Sequence, residues 1–311
     1  MKTQLDCIPC FIRQALEAAR HAEADETIQK MVLRRVCRWV SDMDMAMTPP
    51  MMGQRMHRLV RELTGNTDPY AECKSNFNRG VLELLPELRQ EIASSPDPFA
   101  TAVRIAIAGN AIDMGANSQL DNGNLRPTLV RAMASPVIGA LEALRAAIRT
   151  ANKILYIADN AGEIVLDRLL IEQIGAPRIT LVVRGQAVLN DATLADATAA
   201  GLGDLVEVID NGSDAPGTLL SDCTAEMQHR FAHADVVLAK GQGNYETLSA
   251  VTRPNVFFLL MAKCPVIAEH IGCERNSLIV APLQAPRTAP KLHSSATINA
   301  IENMAHVVSR H

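Results

Sequence analysis

The pattern of apolar and polar positions divides the chain into two parts. Up to about residue 95, apolar residues recur every three or four positions, which is the spacing of amphipathic helices. Proline pairs and glycine mark helix ends, as at Pro49-Pro50 and Gly65. Helices are predicted at about 25–40, 49–65, 102–113 and 126–151. We therefore predict a helical N-terminal domain over residues 1–95.

After Asn152 the period changes, and short apolar runs alternate with helical segments. The predicted strands are KILYIAD, RITLVVRG, LVEVIDNG, DVVLAKG, NVFFLLMAK and SLIVA. Alternating strands and helices are typical of a mostly parallel sheet that helices cover on both faces. The predicted fold class is α/β, with a three-layer α/β/α core over residues 96–311 beside the helical domain.

Composition and charge narrow the functional class. The chain has 311 residues, 48% of them hydrophobic, and a net charge of −4, so it lacks the basic footprint of a nucleic-acid-binding protein. No apolar run reaches the ~18 residues that a membrane span needs. The first residues do not resemble a signal peptide, so we expect a cytoplasmic protein with reduced thiols. The expected partner is a small molecule.

Polar residues follow five of the six predicted strands. They are Asp159-Asn160, Arg184-Gly185, Asp210-Asn211-Gly212, Lys240-Gly241 and Lys263. In open parallel sheets, ligands bind outside the carboxyl ends of the strands. Although a single polar strand end is ordinary loop sequence, five of them predict a site for a small charged ligand.

Asp159 and Asn160 are the first candidates for metal ligands. A carboxylate and an amide oxygen suit Mg²⁺ or Mn²⁺, and the N-terminus of the helix that follows favours an anion. Together they would suit a metal-bound phosphate. The alternative is that one of these two side chains merely caps the helix.

Asn190-Asp191 precedes another helical pattern, after the next strand. Asp191 could supply a third metal oxygen, although an N-cap role is the simpler reading of this segment alone. Asp196, a further turn along, has the position of a solvated helix residue.

Two further segments have polar groups suited to a ligand. In AKGQGNYE (239–246), glycines would let the backbone approach a ligand, and Lys240 supplies a charge for phosphate, although the spacing is not that of a Walker P-loop. In AGNAIDMG (108–115), Asn110 and Asp113 would share one face of a helix. That face could line a cleft, or the helix could simply end at Gly115.

The motif Cys7-x-x-Cys10 invites a metal or redox interpretation. A structural zinc site needs four ligands, and no second motif of this kind appears. Cys73 is a candidate for a third thiol in space. Packing is the favoured interpretation of these residues.

Six segments, taken in order, resemble one family, the metal-dependent damage-control phosphatases (domain of unknown function 89), which have the acidic-residue-methyltransferase-like fold. The segments are DCIPCFIRQA, DPYAECKSN, GNAID, ADNAGE, KGQGNYE and LLMAKCPVIA, and they span nearly the whole chain. The N-terminal cysteine pair is similar to that of the small prokaryotic branch.

The resemblance implies hydrolysis of small phosphate monoesters, such as sugar phosphates, with a divalent metal. It assigns the metal to Asp159, Asn160 and Asp191, the phosphate contact to Lys240, and substrate contacts to Lys74, Asn78, Asn110, Asp113, Gly241 and Asn244. Phe77 departs from the family pattern, in which a small polar residue is expected beside Asn78.

These expectations define one main hypothesis and two rivals. In the main hypothesis, Mg²⁺, Mn²⁺, Co²⁺ or Ni²⁺ activates a phosphoryl group, and either water or Asp159 attacks it. Backbone N–H groups near Gly162 and Gly241 would bind the remaining phosphate oxygens. A non-hydrolytic phosphometabolite sensor is the first rival. A carboxylate methyltransferase is the second and ranks low, because no glycine-rich loop follows the first predicted strand.

Overall fold

The computed structural model describes residues 1–111 and 122–283. Across these ranges, none of the helices combines the length and apolar character that crossing a lipid bilayer requires.

Three amino-terminal helices pack around a hydrophobic cluster of their own. They are α1 (Cys7–His21), α2 (Glu26–Ser41) and α3 (Pro49–Thr64). Val32, Val36, Met52 and Met56 form the centre of this cluster and are fully buried. The predicted end of α3 is confirmed, because Gly65 adopts the left-handed conformation that stops the helix.

The rest of the chain forms a seven-stranded sheet with flanking helices. The strands are β1 (Val137–Gly139), β2 (Ile154–Ile157), β3 (Ile179–Val183), β4 (Glu207–Asp210), β5 (Val236–Lys240), β6 (Val256–Met261) and β7 (Leu278–Pro282). The helices are α4 (Ala71–Ser94), α5 (Pro98–Ala108), α6 (Asn122–Met133), α7 (Leu141–Thr150), α8 (Glu163–Ile174), α9 (Leu194–Ala199), α10 (Ala225–His233), α11 (Gly241–Leu248) and α12 (Pro265–Ile271).

The strand order β1-β7-β6-β5-β2-β3-β4 makes β2 a central strand. All neighbouring pairs are parallel except β6 and β7, which confirms the predicted mostly parallel α/β sheet. The chain runs from β2 outward to β4 and then returns to β5 on the other side of β2. The strand order therefore reverses between β2 and β5, and the carboxyl ends of the strands beside such a reversal are where these sheets bind ligands.

Strand β2 shows why the sheet is buried on both faces. Ile154 and Tyr156 belong to one hydrophobic cluster, together with residues of α5 and α8, whereas Leu155 and Ile157 belong to another, together with residues of α10, α11 and α12. Because side chains alternate along a strand, an all-apolar run fills two cores at once.

Two features differ in detail from the sequence-based expectation. The predicted helical segment 126–151 contains β1, a three-residue strand that pairs with distant β7, so local periodicity does not reveal it. Helix α4, assigned to the N-terminal domain, places Phe77, Val81 and Leu85 in the hydrophobic cluster of the α/β core. The domain boundary at residue 95 stays a prediction.

Candidate active site

The carboxyl end of β2 carries Asp159 and Asn160, immediately before α8. The N-cap of α8 is Gly162, which has a positive φ, and no side chain caps it in the usual way. The alternative that Asp159 or Asn160 is a helix cap is therefore wrong. The Gly162 N–H instead donates to Oδ1 of Asn78 on α4, at 2.7 Å, and so is not free for a phosphate.

Two amides bridge two carboxylates at this point. Nδ2 of Asn110 donates to Oδ2 of Asp159 and to Oε2 of Glu163, both at 2.9 Å. Nδ2 of Asn160 donates to the same two oxygens, at 2.7 and 3.0 Å. Oδ1 of Asn110 is buried and has no hydrogen-bond partner in the described structure. An acceptor is thus left unused inside the site.

Asp191 reaches the same place from beyond β3. Asn160 and Asp191 form an isolated bridge, and the Ala192 N–H donates to the Asp159 carbonyl oxygen at 2.8 Å. The N-cap of α9 is Thr193, so Asp191 is not a helix cap. Its Oδ2 instead accepts a 2.6 Å bond from Nε of Arg184, a fully buried arginine at the end of β3.

Burial raises the pKa values of Asp159 and Asp191. Burial, together with the nearby Glu163 and Asp191, raises the pKa of Asp159 well above its ordinary value. Arg184 and Lys263 act in the opposite direction without cancelling this effect. Burial likewise raises the pKa of Asp191, against the opposing effect of Arg184. Both acids therefore favour their protonated forms unless a further positive charge lies beside them.

Lys240 lies beneath this cluster and is fully buried. Its Nζ donates to Glu163 Oε1 and Asp167 Oδ1, both at 2.6 Å, and to the carbonyl oxygen of Ala106 at 2.9 Å. Burial opposes its charge, but the two carboxylates outweigh burial and raise the pKa of Lys240. All three donors of this ammonium are engaged, so the predicted phosphate contact would require one of these bonds to break.

Gly241 and Asn244, the other two predicted contacts of this segment, have different environments. Gly241 has a φ of 74°, and a Cβ there would lie 1.8 Å from Oδ2 of Asp159. Asn244 is fully buried, and its amide donates to the carbonyl oxygens of Ala158 and Lys240. Asn244 therefore joins the ends of β2 and β5, whereas Gly241 borders the site.

Lys74 and Asn78, the predicted substrate contacts on α4, interact with aspartates of the protein itself. Nζ of Lys74 lies 2.7 Å from Asp68 Oδ2 and 3.6 Å from Asp196 Oδ2, and Asn78 Nδ2 donates to Asp196 Oδ1. The expectation that Asp196 is solvated is wrong, because it is buried and forms a capping box with Thr193. Its carboxylate is the counter-charge of a buried lysine.

Phe77, the departure from the family pattern, has a packing role. Its ring would be 2.7 Å from a Cβ on Gly162, so the ring fills the space beside the start of α8. The remaining predicted contact, Asp113, lies outside the described residues.

Four buried carboxylates share this edge with two buried cations. The acids are Asp159, Glu163, Asp167 and Asp191, and the cations are Arg184 and Lys240. In the described ranges, no three side chains of His, Cys, Asp or Glu could hold a metal ion by themselves, so amide oxygens would have to contribute. The excess of two negative charges and the unpartnered oxygen of Asn110 fit a divalent cation bound here.

Sequence reasoning did not single out two acids of this cluster, Glu163 and Asp167, and did not place Arg184 and Lys263 beside Asp159. Glu163 and Asp167 lie one turn apart on α8, in EIVLDRLLIE, where two acids interrupt an apolar helix that is buried almost all round. Buried carboxylates need charged or hydrogen-bonding partners, so two acids in an apolar helix indicate a buried polar cluster. Arg184 and Lys263 were noticed as strand-end residues, but their proximity to Asp159 comes from the fold.

Comparisons with known proteins show the family of this chain. The family model described as "Damage-control phosphatase ARMT1-like domain" matches residues 3–279. An uncharacterized protein of Methanocaldococcus jannaschii is 34% identical over 290 residues, covering 88% of this chain and 93% of its own length. A protein of Archaeoglobus fulgidus named "Damage-control phosphatase" is 34% identical over 233 residues, covering 73% and 80%.

Structural comparison gives the same result. The crystal structure of a DUF89 family protein from Pyrococcus horikoshii has a TM-score of 0.80 and 29% identity, and the match covers 91% of this chain and 100% of that one. The resemblance first noticed in six short segments is thereby confirmed across nearly the whole chain. This protein belongs to the damage-control phosphatase ARMT1-like domain family.

Proposed function

We propose that this protein is a metal-dependent hydrolase of small phosphate monoesters, such as sugar phosphates or related damaged phosphometabolites. The observation that carries the proposal is the excess of buried carboxylates over buried cations at the carboxyl ends of β2 and β5. Such a site attracts a divalent cation, which in turn attracts phosphate. The names of the Archaeoglobus and Pyrococcus relatives support phosphatase chemistry.

Asp159, Asn160 and Asp191 would hold the cation, chosen from Mg²⁺, Mn²⁺, Co²⁺ and Ni²⁺. When bound, it would polarise the phosphoryl oxygens and offset the negative charge that develops during transfer. Asn110 and Asn160 orient the Asp159 carboxylate, because both amides donate to its Oδ2.

Lys240 acts from below the site in this proposal. By holding Glu163 and Asp167, it allows two further carboxylates to remain buried beside Asp159. Without its charge, their mutual repulsion and desolvation would favour protonated or displaced acids. In this proposal Lys240 is therefore a positioning residue and not a direct ligand of the phosphate.

The phosphate oxygens would meet two kinds of group. Helix α11 begins at Gly241, beside Asp159, and the first-turn N–H groups of a helix suit an anion. Lys263 follows β6 and acts electrostatically on Asp159, which adds a positive charge near the same carboxylate. This combination would suit a phosphate.

Two routes for attack on phosphorus remain open: water, or the carboxylate of Asp159. The second route leaves a phosphoryl group on Asp159 between two chemical steps. Rapid acid quenching during turnover, followed by peptide mass spectrometry, distinguishes them. A phosphorylated Asp159 peptide supports the carboxylate route.

The test of the proposed function is release of inorganic phosphate. Metal-stripped protein is given a panel of sugar phosphates and nucleotides, with each of the four metals added back singly. We expect release that depends on metal, is abolished in Asp159→Asn and is unchanged in Asp204→Asn, an exposed control. Tight binding of a phosphate monoester without any release would instead establish the sensor.

A further inference from the structure

Cys7 and Cys10 occupy the first turn of α1, three residues apart. Helix geometry places Cα atoms at this spacing about 5 Å apart, within the range that a disulfide spans. Both residues are half-buried, and neither is in a disulfide. The backbone spacing therefore permits a disulfide between them.

A third cysteine lies at the same place, although it is distant in sequence. Cys264, the N-cap residue of α12, interacts electrostatically with Cys7 and Cys10. Cys73, the partner considered from the sequence, lies on α4 and packs against the α/β core instead. The start of α1 thus lies near the start of α12.

The two thiols of the motif have different surroundings. Nη2 of Arg13 lies 3.6 Å from Sγ of Cys10, on the exposed side of the helix. Burial raises the pKa of Cys7, which therefore remains a neutral thiol at higher pH. Cys10 is thus suited to attack first and Cys7 to attack second.

We propose that Cys7 and Cys10 form a reversible oxidation site, which closes to an intrahelical disulfide on reaction with a low-molecular-weight disulfide. The thiolate of Cys10 attacks one sulfur of that compound, forms a mixed disulfide and expels one thiolate. The Cys7 thiol, after losing its proton to solvent, attacks Sγ of Cys10 and expels the second thiolate. The protein loses two hydrogens, and the oxidant becomes two thiols.

The experiment treats the full-length protein with oxidised glutathione, alkylates the remaining thiols and digests with trypsin. Cys7 and Cys10 fall on one tryptic peptide, 3–13, whereas Cys264 falls on 264–275. We expect peptide 3–13 to lose two hydrogens and to escape alkylation, and dithiothreitol to reverse both changes. Cys37, an exposed cysteine on α2, is the control that remains available for alkylation.

Two variants test the order of attack. The Cys7→Ser variant should retain glutathione on Cys10, because the second attack is lost. The Cys10→Ser variant should bind much less glutathione, on Cys7. Full alkylation of Cys7 and Cys10 after oxidation would overturn the proposal, and so would a cross-link between peptides 3–13 and 264–275. Peptide mapping of the wild-type protein tests the disulfide between Cys7 and Cys10 even if a serine variant fails to fold.

Discussion

Gly241 lies against Asp159 so closely that a Cβ on Gly241 would be 1.8 Å from Oδ2 of the aspartate. The Asp159 carboxylate therefore occupies the space that a side chain at position 241 would fill. Gly241 also has a φ of 74°, which disfavours any other residue. The Asp159 carboxylate owes its position to the absence of a single methyl group.

The first prediction concerns that contact. Gly241→Ala should lower kcat/KM at least about 100-fold, because displacement of a reacting group by about 1 Å has effects of this size. The matched control is Gly203→Ala, at an exposed position where a Cβ meets nothing within 4 Å. Steady-state kinetics of both variants check the prediction. Near-normal activity of Gly241→Ala would show that Asp159 tolerates displacement.

The second prediction separates a buried ion-pair role of Lys240 from a phosphate contact. Lys240→Met leaves Glu163 and Asp167 without their cation and should lower the free energy of unfolding by about 3–5 kcal/mol. Adding Asp167→Asn should recover part of this loss, as a double-mutant cycle would measure by denaturant unfolding. Unchanged stability of Lys240→Met with a raised KM would support the phosphate contact instead.

The third prediction uses the unpartnered oxygen of Asn110. Asn110→Ala removes this acceptor and two hydrogen bonds to the carboxylates, so metal affinity should fall about 10–100-fold. Equilibrium dialysis with Mn²⁺ measures this without relying on activity. The control is Asn152→Ala, an exposed position away from the site. Equal affinity in both variants would remove Asn110 from the metal environment.

The fourth prediction concerns stability and pH at Glu246, a buried residue of α11. Burial raises its pKa from 4.5 to about 7, although Gln242 donates a hydrogen bond to it. Between these values the folded chain binds the proton more tightly than the unfolded chain, so the free energy of unfolding falls as pH rises.

Glu246→Gln removes that pH dependence. We expect the variant to be more stable than wild type at pH 8, by up to about 3 kcal/mol, and to lose this advantage by pH 4. Urea unfolding at several pH values measures the difference, with exposed Glu269→Gln as the control. A difference between wild type and variant that does not change with pH would contradict the assigned pKa.

The sequence alone determined the architecture, because burial on both faces of a parallel sheet needs uninterrupted apolar runs such as Ile154–Ile157. It also indicated Asp159 and Asn160, since residues at strand ends reach the same edge of the sheet, whereas Asp191 was assigned to the metal through the resemblance to the family. Each of these inferences rests on a pattern that is visible within a single segment of the sequence. The short strand β1 displays no such pattern, because it exists only through pairing with β7.

Only the tertiary structure decided how the polar groups are paired. Lys240 was expected to face a phosphate, but it faces Glu163 and Asp167 on α8, and Asp196 was expected to face water, but it faces Lys74 on α4. The charge of a residue follows from its identity, whereas its partner depends on which distant elements the fold brings together. Buried charges must find such partners, and the sequence does not name them.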